Sequence, residues 1–482
     1  MEIKEITDLM KAPSEADILL LKKALSYAEK AHAGQARFSG EPYIIHPFET
    51  AKILAEMKAD TETIAAGLLH DTIEDCGITK EDLEHEFGPT VAFLVEGVSK
   101  LGKLKYRGAK RHTESLRKLF VAMAQDIRVI LIRLADRLHN VQTLKYLPLE
   151  KQKRISSETL EIYAPLANRL GIWRIKGMLE DAAFPYAYPT EYKKVVELRK
   201  TKGKETIKRL EKIYRTLERE LAMRGLKNFT IDYRIKYLYS LYEKLLRKNM
   251  DIDEIYDISA LRVIVGSIEE CYQVLGVIHS LWRPIPGRLK DYIASPKPNG
   301  YQSIHTSIFS GEGNMIEIQI RTREMQQEAE YGIASHIAYD EAGKPEWGGK
   351  ITRNIEWIKE LIEWQKHMQE DHKFISTLKT EFFHDRIFVF TPKGEVVELP
   401  KGSSPIDFAF KIHSEIGVHA YGARVSGKMV SLDTPLKNGD LVEIIVNKNS
   451  KPSNKWLAFA KTSEAKKKIK SYLQSNQKVE AK

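Results

Sequence analysis

Cysteine is nearly missing from this chain: 482 residues hold two, Cys76 and Cys271, in no paired spacing. That excludes a disulfide framework and a thiolate zinc site, and it suits a reducing, cytoplasmic setting. No run approaches the roughly 20 apolar residues that a membrane span requires. The opening stretch MEIKEITDLMK has no apolar segment of the kind a secretory signal needs. Internal repeats and low-complexity tracts are lacking. So is a Gly-x-x-x-x-Gly-Lys-Ser/Thr loop, which argues against a P-loop enzyme. What remains is globular in composition, 43% hydrophobic and 29% charged, and too long for one ordinary core. The net charge of +10 suits either nucleic acid or a pocket for polyphosphate nucleotides, and does not choose between them.

Residues 1–195 carry apolar positions at three-to-four spacing with little β-branched alternation, so an all-α domain is expected there. A charged helix is expected from about 191 to 224, with Gly225 as its stop. FTIDYRI, SALRVIVG and NMIEIQIR then read as strands with helices between them, which makes 196–345 an α/β domain with a mixed sheet. An amphipathic helical linker follows at 346–382, then a small α+β module at 383–447. The lysine-rich tail at 448–482 reads as a solvated helix with a basic face.

The strongest chemistry lies where the apolar run 64–69 meets His70-Asp71 and, one turn later, Glu74-Asp75. Residues four apart share a side of a helix, so His70 is expected beside Glu74 and Asp71 beside Asp75. Burying a carboxylate is costly unless it is paired or metal-bound. His46, in RFSGEPYIIHP, and Asp136, after the apolar run VILIRLA, complete a nitrogen-and-oxygen ligand set. Such a set suits manganese or another divalent ion better than structural zinc. Taken singly, each residue has an ordinary surface explanation; together, at the ends of apolar segments, they read as a metal site. The chemistry implied is hydrolysis of a phosphorus ester by metal-activated water, with Glu74 and Asp75 steering water and proton.

A second constellation spans Arg234 to Lys244, Asp257, Arg262, PGRLKDY, PKPNGYQSIHT and EIQIRT. Phosphoryl transfer needs cations for a triphosphate, acids for magnesium and planar groups for bases, and all three are present. Asp257 leads towards one strand and Glu317 lies within another, so both are candidates for magnesium. Glu317 is also a candidate for deprotonating an attacking hydroxyl. Composition alone leaves a solvated basic face equally open.

These segments resemble, in order, the motifs of the RelA/SpoT homologue family, enzymes that make and degrade (p)ppGpp. RxSGEPYxxHP, HDxxED and LADRLHN match the hydrolase, and YSxxxK, RxKD, PKPNGYQSxHT and ExQIRT the synthetase, over about residues 20–465. The resemblance implies an all-α HD-type hydrolase domain, a nucleotidyltransferase-like α/β synthetase domain and a small β-grasp TGS domain. It implies manganese on His46, His70, Asp71 and Asp136, and removal of the 3′-pyrophosphate promoted by Glu74 and Asp75. Arg37, Tyr43, Asn140 and Thr143 would hold the guanosine. In the synthetase, pyrophosphate would pass from ATP to the 3′-hydroxyl of GDP or GTP, giving ppGpp or pppGpp. Arg234 and Arg262 would flank the ATP base, Lys236, Ser240, Lys244 and Lys290 would bind phosphates, and Tyr301 would stack on the acceptor guanine. Asp257 and Glu317 would serve magnesium and the hydroxyl. The motifs also place Lys297, Asn299, Gln302, His305, Gln319 and Arg321 among the substrate-binding residues.

The basic Arg288-Leu289-Lys290-Asp291 matches the form of bifunctional members, so both activities are expected. Departures from the pattern include Tyr233, Leu289, Gln326 and Ser335-His336-Ile337 in the synthetase, and Val141-Gln142 in the hydrolase. They keep a second reading open, a hydrolase whose synthetase fold only senses nucleotide. Gly417-Val418-His419 stands where the family commonly has Gly-His-Arg, so any tRNA or ribosome contact through TGS is expected to be weak. The chain resembles a short form ending soon after TGS. A third reading is a tRNA- or ribosome-binding regulator without turnover.

Overall fold

A computed structural model describes residues 1–99, 117, 120–123, 125–252, 255, 259–297, 299–310, 315–334, 361 and 386–480. The chain divides into two compact units, Met1–Gln369 and Glu370–Lys482. Among the described residues, no helix is long and apolar enough to cross a membrane. The linker expected at 346–382 lies outside them, apart from Leu361.

The amino-terminal part of the first unit is helical. The Glu15–Ala31 helix opens on a capping box, in which Ser14 and Asp17 satisfy one another's backbone N–H groups. The Thr61–Leu69 helix is capped by Asp60, which takes the Thr63 N–H at 2.7 Å. Nearly all of its side chains are buried, so it occupies the centre, against the Glu15–Ala31 and Ile45–Glu56 helices. This central helix does not run on through Asp75 as expected. It ends at Leu69, with His70 as its cap, and Asp71 opens a separate turn, Thr72–Asp75. The His70 ring and the Thr72 hydroxyl take the carbonyls of Gly67 and Leu69, which diverts the last turn. His70 therefore caps one helix, while Glu74 lies in the next.

The mixed sheet has the order β1-β2-β5-β4-β3, from Thr230–Ile235 (β1), Ser259–Val265 (β2), Lys290–Asp291 (β3), Ile304–Phe309 (β4) and Met315–Thr322 (β5). Only β2 and β5 run parallel. One face packs on the Pro189–Met223 and Ile268–Leu281 helices through Leu217, Val263, Val274 and Ile318. Register carries polar residues across the sheet in a row: Lys290, His305, Gln319, Arg262 and Asp232. The next row on that face holds Ser307, Glu317, Ala260 and Arg234. Period two thus delivers the charged groups to one side.

The Trp173–Ala187 helix belongs to both regions. Ala183 packs with Val141, Leu144 and Leu160, while Phe184 packs with Leu238, Leu241 and Tyr242. Asp181 accepts from the N–H groups of Leu238 (3.1 Å) and Tyr239 (3.0 Å), opening the Leu238–Leu246 helix. The Pro189–Met223 helix then runs unbroken through residue 195. A second join is backbone on backbone, where Ile333 N–H donates to Leu170 O at 3.2 Å. Gly332 there has φ 53°, and a Cβ would stand 2.4 Å from the Leu170 oxygen. Gly332→Ala is therefore expected to destabilise the chain by about 3 kcal/mol. Thermal unfolding checks this, and an unchanged midpoint would show that the join yields.

In the second unit, Arg386–Phe390 (β6) pairs with Val396–Pro400 (β7). Ala420–Val425 (β8), Lys428–Val430 (β9) and Val442–Val446 (β10) form a sheet in the order β10-β8-β9. The tail was expected to be solvated, yet its Ser463–Glu480 helix buries Ala465 and Ile469 against Ile406 and Phe410. Buried Asp407 ties it down by accepting from the Lys461 and Thr462 N–H groups, both at 2.8 Å. The lysines occupy only the remaining face.

Candidate functional site

Among the described residues, His46, His70 and Asp136 form a buried group whose ligand atoms all lie within 4.8 Å of one another. Asp71 joins it, with Oδ2 at 3.3 Å from His70 Nε2 and 3.5 Å from His46 Nε2. His70 contacts the Gly67 carbonyl through Nδ1 at 2.8 Å, while its Nε2 is buried without a hydrogen-bond partner. A ring anchored through one nitrogen, with the other facing carboxylates, fits a metal ligand. Burial works against charge on His70, but Asp71 and Asp136 outweigh it and hold its pKa up to about 9. Although burial opposes it, His70 keeps Asp71 ionised, and Arg133, 2.8 Å from Asp136, does the same for that carboxylate. Two imidazoles and two carboxylates suit a divalent ion. Adding a divalent cation at 100-fold over its Kd is expected to stabilise the full chain by about 2.7 kcal/mol. A midpoint rise equal in wild type and Asp136→Ala would place the ion elsewhere.

His139 was missed. It lies three residues after Asp136, and its Nδ1 is 2.7 Å from His46 Nδ1 and 3.0 Å from an Arg37 nitrogen. Burial and the neighbouring His46 push its pKa down to about 3. A neutral His139 accepting at Nδ1 makes His46 the donor there, which turns the lone pair of His46 Nε2 towards the carboxylates. Its spacing on the helix of Asp136 was the available signal.

Arg37 also donates to Asn140 (3.0 Å) and Thr143 (3.4 Å), so three of the four residues expected to hold guanosine meet. The fourth, Tyr43, stacks on His32 and puts its hydroxyl 2.9 Å from both Asp71 and Asp75. The Glu74 residue is exposed overall, yet desolvation of its carboxyl and then the charge of Asp71 raise its pKa.

The open face of the sheet floors a cavity of about 580 Å³. Lys236, Ser240, Lys244 and Lys290 line it, with Arg234 and Arg262, and so do Lys297, Tyr301, His305, Glu317 and Arg321. Asn299, Gln302 and Gln319 do not: their amides go to Asn168 O, Ile293 O and the Glu317 carboxylate. Asp257 lies outside the described residues. Arg262 is held by Asp232 through two 2.9 Å bonds. A chain of contacts crosses the floor. Arg321 donates to the Tyr301 hydroxyl (3.1 Å), that hydroxyl meets His305 Nε2 (2.8 Å), and His305 Nδ1 stands 3.3 Å from Glu317. Although burial opposes it, His305 and Gln319 hold Glu317 ionised. The cavity also takes Trp173, Arg174, Lys176, Gly177 and Glu180 as a wall, residues that a boundary at 195 had assigned elsewhere.

Three family models match the chain: an HD domain at 24–173, a region found in RelA / SpoT proteins at 233–344 and a TGS domain at 387–446. A guanosine-3′,5′-bis(diphosphate) 3′-pyrophosphohydrolase of Aquifex aeolicus is 48% identical over 95% of this chain and 65% of its own. The bifunctional (p)ppGpp synthase/hydrolase SpoT of Escherichia coli is 47% identical over 96% and 66%. A GTP pyrophosphokinase of Myxococcus xanthus is 46% identical over 96% and 61%. The chain thus spans somewhat less than two thirds of the length of these relatives.

Proposed function

We propose that this chain, whose three domains match those of RelA / SpoT proteins, both hydrolyses (p)ppGpp at its 3′-pyrophosphate and synthesises it from ATP and GDP or GTP. The observation that carries this reading is the presence in one unit of two distinct sites, a buried His/Asp cluster and a cationic cavity.

In the hydrolase, His46, His70, Asp71 and Asp136 would hold manganese, which supplies charge to activate water and polarise the phosphorus centre. Arg37, Asn140 and Thr143 bind the guanosine, and Tyr43 fixes Asp75 beside Asp71. Glu74, with its raised pKa, exchanges the proton. In the synthetase, lysines and arginines gather the triphosphate, and Glu317 accepts the proton of the 3′-hydroxyl as AMP leaves. Glu317 and Asp257 would hold magnesium in this half, which would supply charge to neutralise the phosphates. The setting is cytoplasmic, where the nucleotides are. We assign the TGS unit a weak contact with tRNA or the ribosome, testable as salt-sensitive RNA binding.

A paired turnover assay tests the whole. One arm offers ppGpp with Mn²⁺, and the other offers ATP plus GDP with Mg²⁺, the second repeated in Asp71→Ala so that hydrolysis cannot hide synthesis. Turnover in both arms upholds the proposal. Consumption of ppGpp alone, with no synthesis unmasked, would leave a hydrolase with a nucleotide-sensing second site.

A further inference from the structure

The cavity wall supplied by the Trp173–Ala187 helix has no role so far, and its first residue meets the residue reserved for the acceptor base. The rings of Trp173 and Tyr301 lie 5.6 Å apart at a tilt of 55°, forming a corner. Tyr292 stands edge-on to Tyr301 at 6.2 Å. The Lys297 ammonium occupies this corner, 5.4 Å from the Trp173 ring, 4.7 Å from Tyr292 and 4.9 Å from Tyr301. The ring faces that hold this cation are ones on which a planar base can also stack. Burial and the nearby Lys290 charge push Lys297 down to about 8. One further group is unsatisfied: the Trp173 indole nitrogen is buried with no hydrogen-bond partner. An indole N–H only donates. Guanine presents two acceptors, O6 and N7, on one edge, whereas adenine puts an amino donor where guanine has O6.

Building on the synthetase reading above, we propose that Trp173 is an acceptor-base residue of the synthetase. Tyr301 takes the face of the guanine, Trp173 closes over its edge and donates to its acceptors, and Lys297 swings out towards the phosphates. Gly177 makes room for this arrangement one turn along. A Cβ there would stand 2.1 Å from the Tyr237 ring, so Tyr237 seats directly on the helix backbone and fixes its distance from the sheet. The helix is also tied to the hydrolase side, because Arg174 bonds Glu56 at 2.7 Å, at the far end of the helix that begins beside His46. The guanine site is thus shared between the two halves of the unit.

The test uses the full chain as wild type, Trp173→Phe and Trp173→Ala, with GDP as the probe and two readouts. First, GDP is titrated against intrinsic tryptophan fluorescence, and the Trp173→Phe signal is subtracted from wild type. The difference isolates one indole among six. A saturable GDP-dependent change in it is expected. Second, in synthesis assays Trp173→Ala is expected to raise the KM for GDP about tenfold. The KM for ATP and the rate of ppGpp hydrolysis should not change, and Trp173→Phe should recover part of the loss. No difference signal, or an unchanged KM for GDP, overturns the proposal. A difference signal in a wild type that makes no ppGpp would keep the guanine site and remove the synthetic activity. Synthesis with no difference signal would do the reverse.

Discussion

Asp71→Ala is expected to lower ppGpp hydrolysis by about a thousandfold or more, while synthesis from ATP and GDP continues. Asp71 is the hub of the cluster, within 3.5 Å of both His46 and His70 and in hydrogen-bond contact with Tyr43. Without it, the proposed metal site loses a charged ligand that stands close to both imidazoles. Tyr43 is left with Asp75 alone, so the carboxylate pair over the reaction site comes apart. The defect should fall on kcat, because Arg37, Asn140 and Thr143 are not touched. Pyrophosphate release from ppGpp with saturating Mn²⁺ measures it. Hydrolysis within tenfold of wild type would move the metal off this residue.

Glu317→Gln is the counterpart in the other half. It is expected to reduce synthesis by about a hundredfold to ten-thousandfold, with hydrolysis unchanged. Gln keeps the shape of the side chain and the strand that carries it, but it cannot accept a proton. The wild-type carboxylate is ionised because His305 at 3.3 Å and the Gln319 amide at 2.7 Å outweigh its burial. The assay is pyrophosphoryl transfer to GDP, run in the Asp71→Ala background so that product persists. Full synthesis by the double variant would leave Glu317 a structural residue.

Much of this was legible in one dimension, for identifiable reasons. The buried His/Asp cluster was legible because His70 and Asp136 end apolar runs, where a polar residue has to be explained. Strand β5 was readable from its period, which put Glu317 on the open face. The geometry around His70 was not readable: a continuous helix was expected, and side-chain bonds to Gly67 and Leu69 end it instead. His139 escaped because its role is to turn another residue's ring, which no ligand pattern encodes. Asn299 and Gln302 do not line the cavity. Both sit in a motif rich in functional residues, yet their amides hold backbone carbonyls. The tail showed its charge but not its anchor, because Ala465 and Ile469 are too few to make a stripe in so many lysines.

The helix from Trp173 to Ala187 bears on how such a chain can be inherited. With Ala183 in the core of one half and Phe184 in the core of the other, a crossover between genes placed anywhere along it would hand each recombinant a mismatched half-core. The two catalytic halves can therefore be exchanged between relatives only with this helix and both of its neighbours. Their sequences along it are bound to drift together.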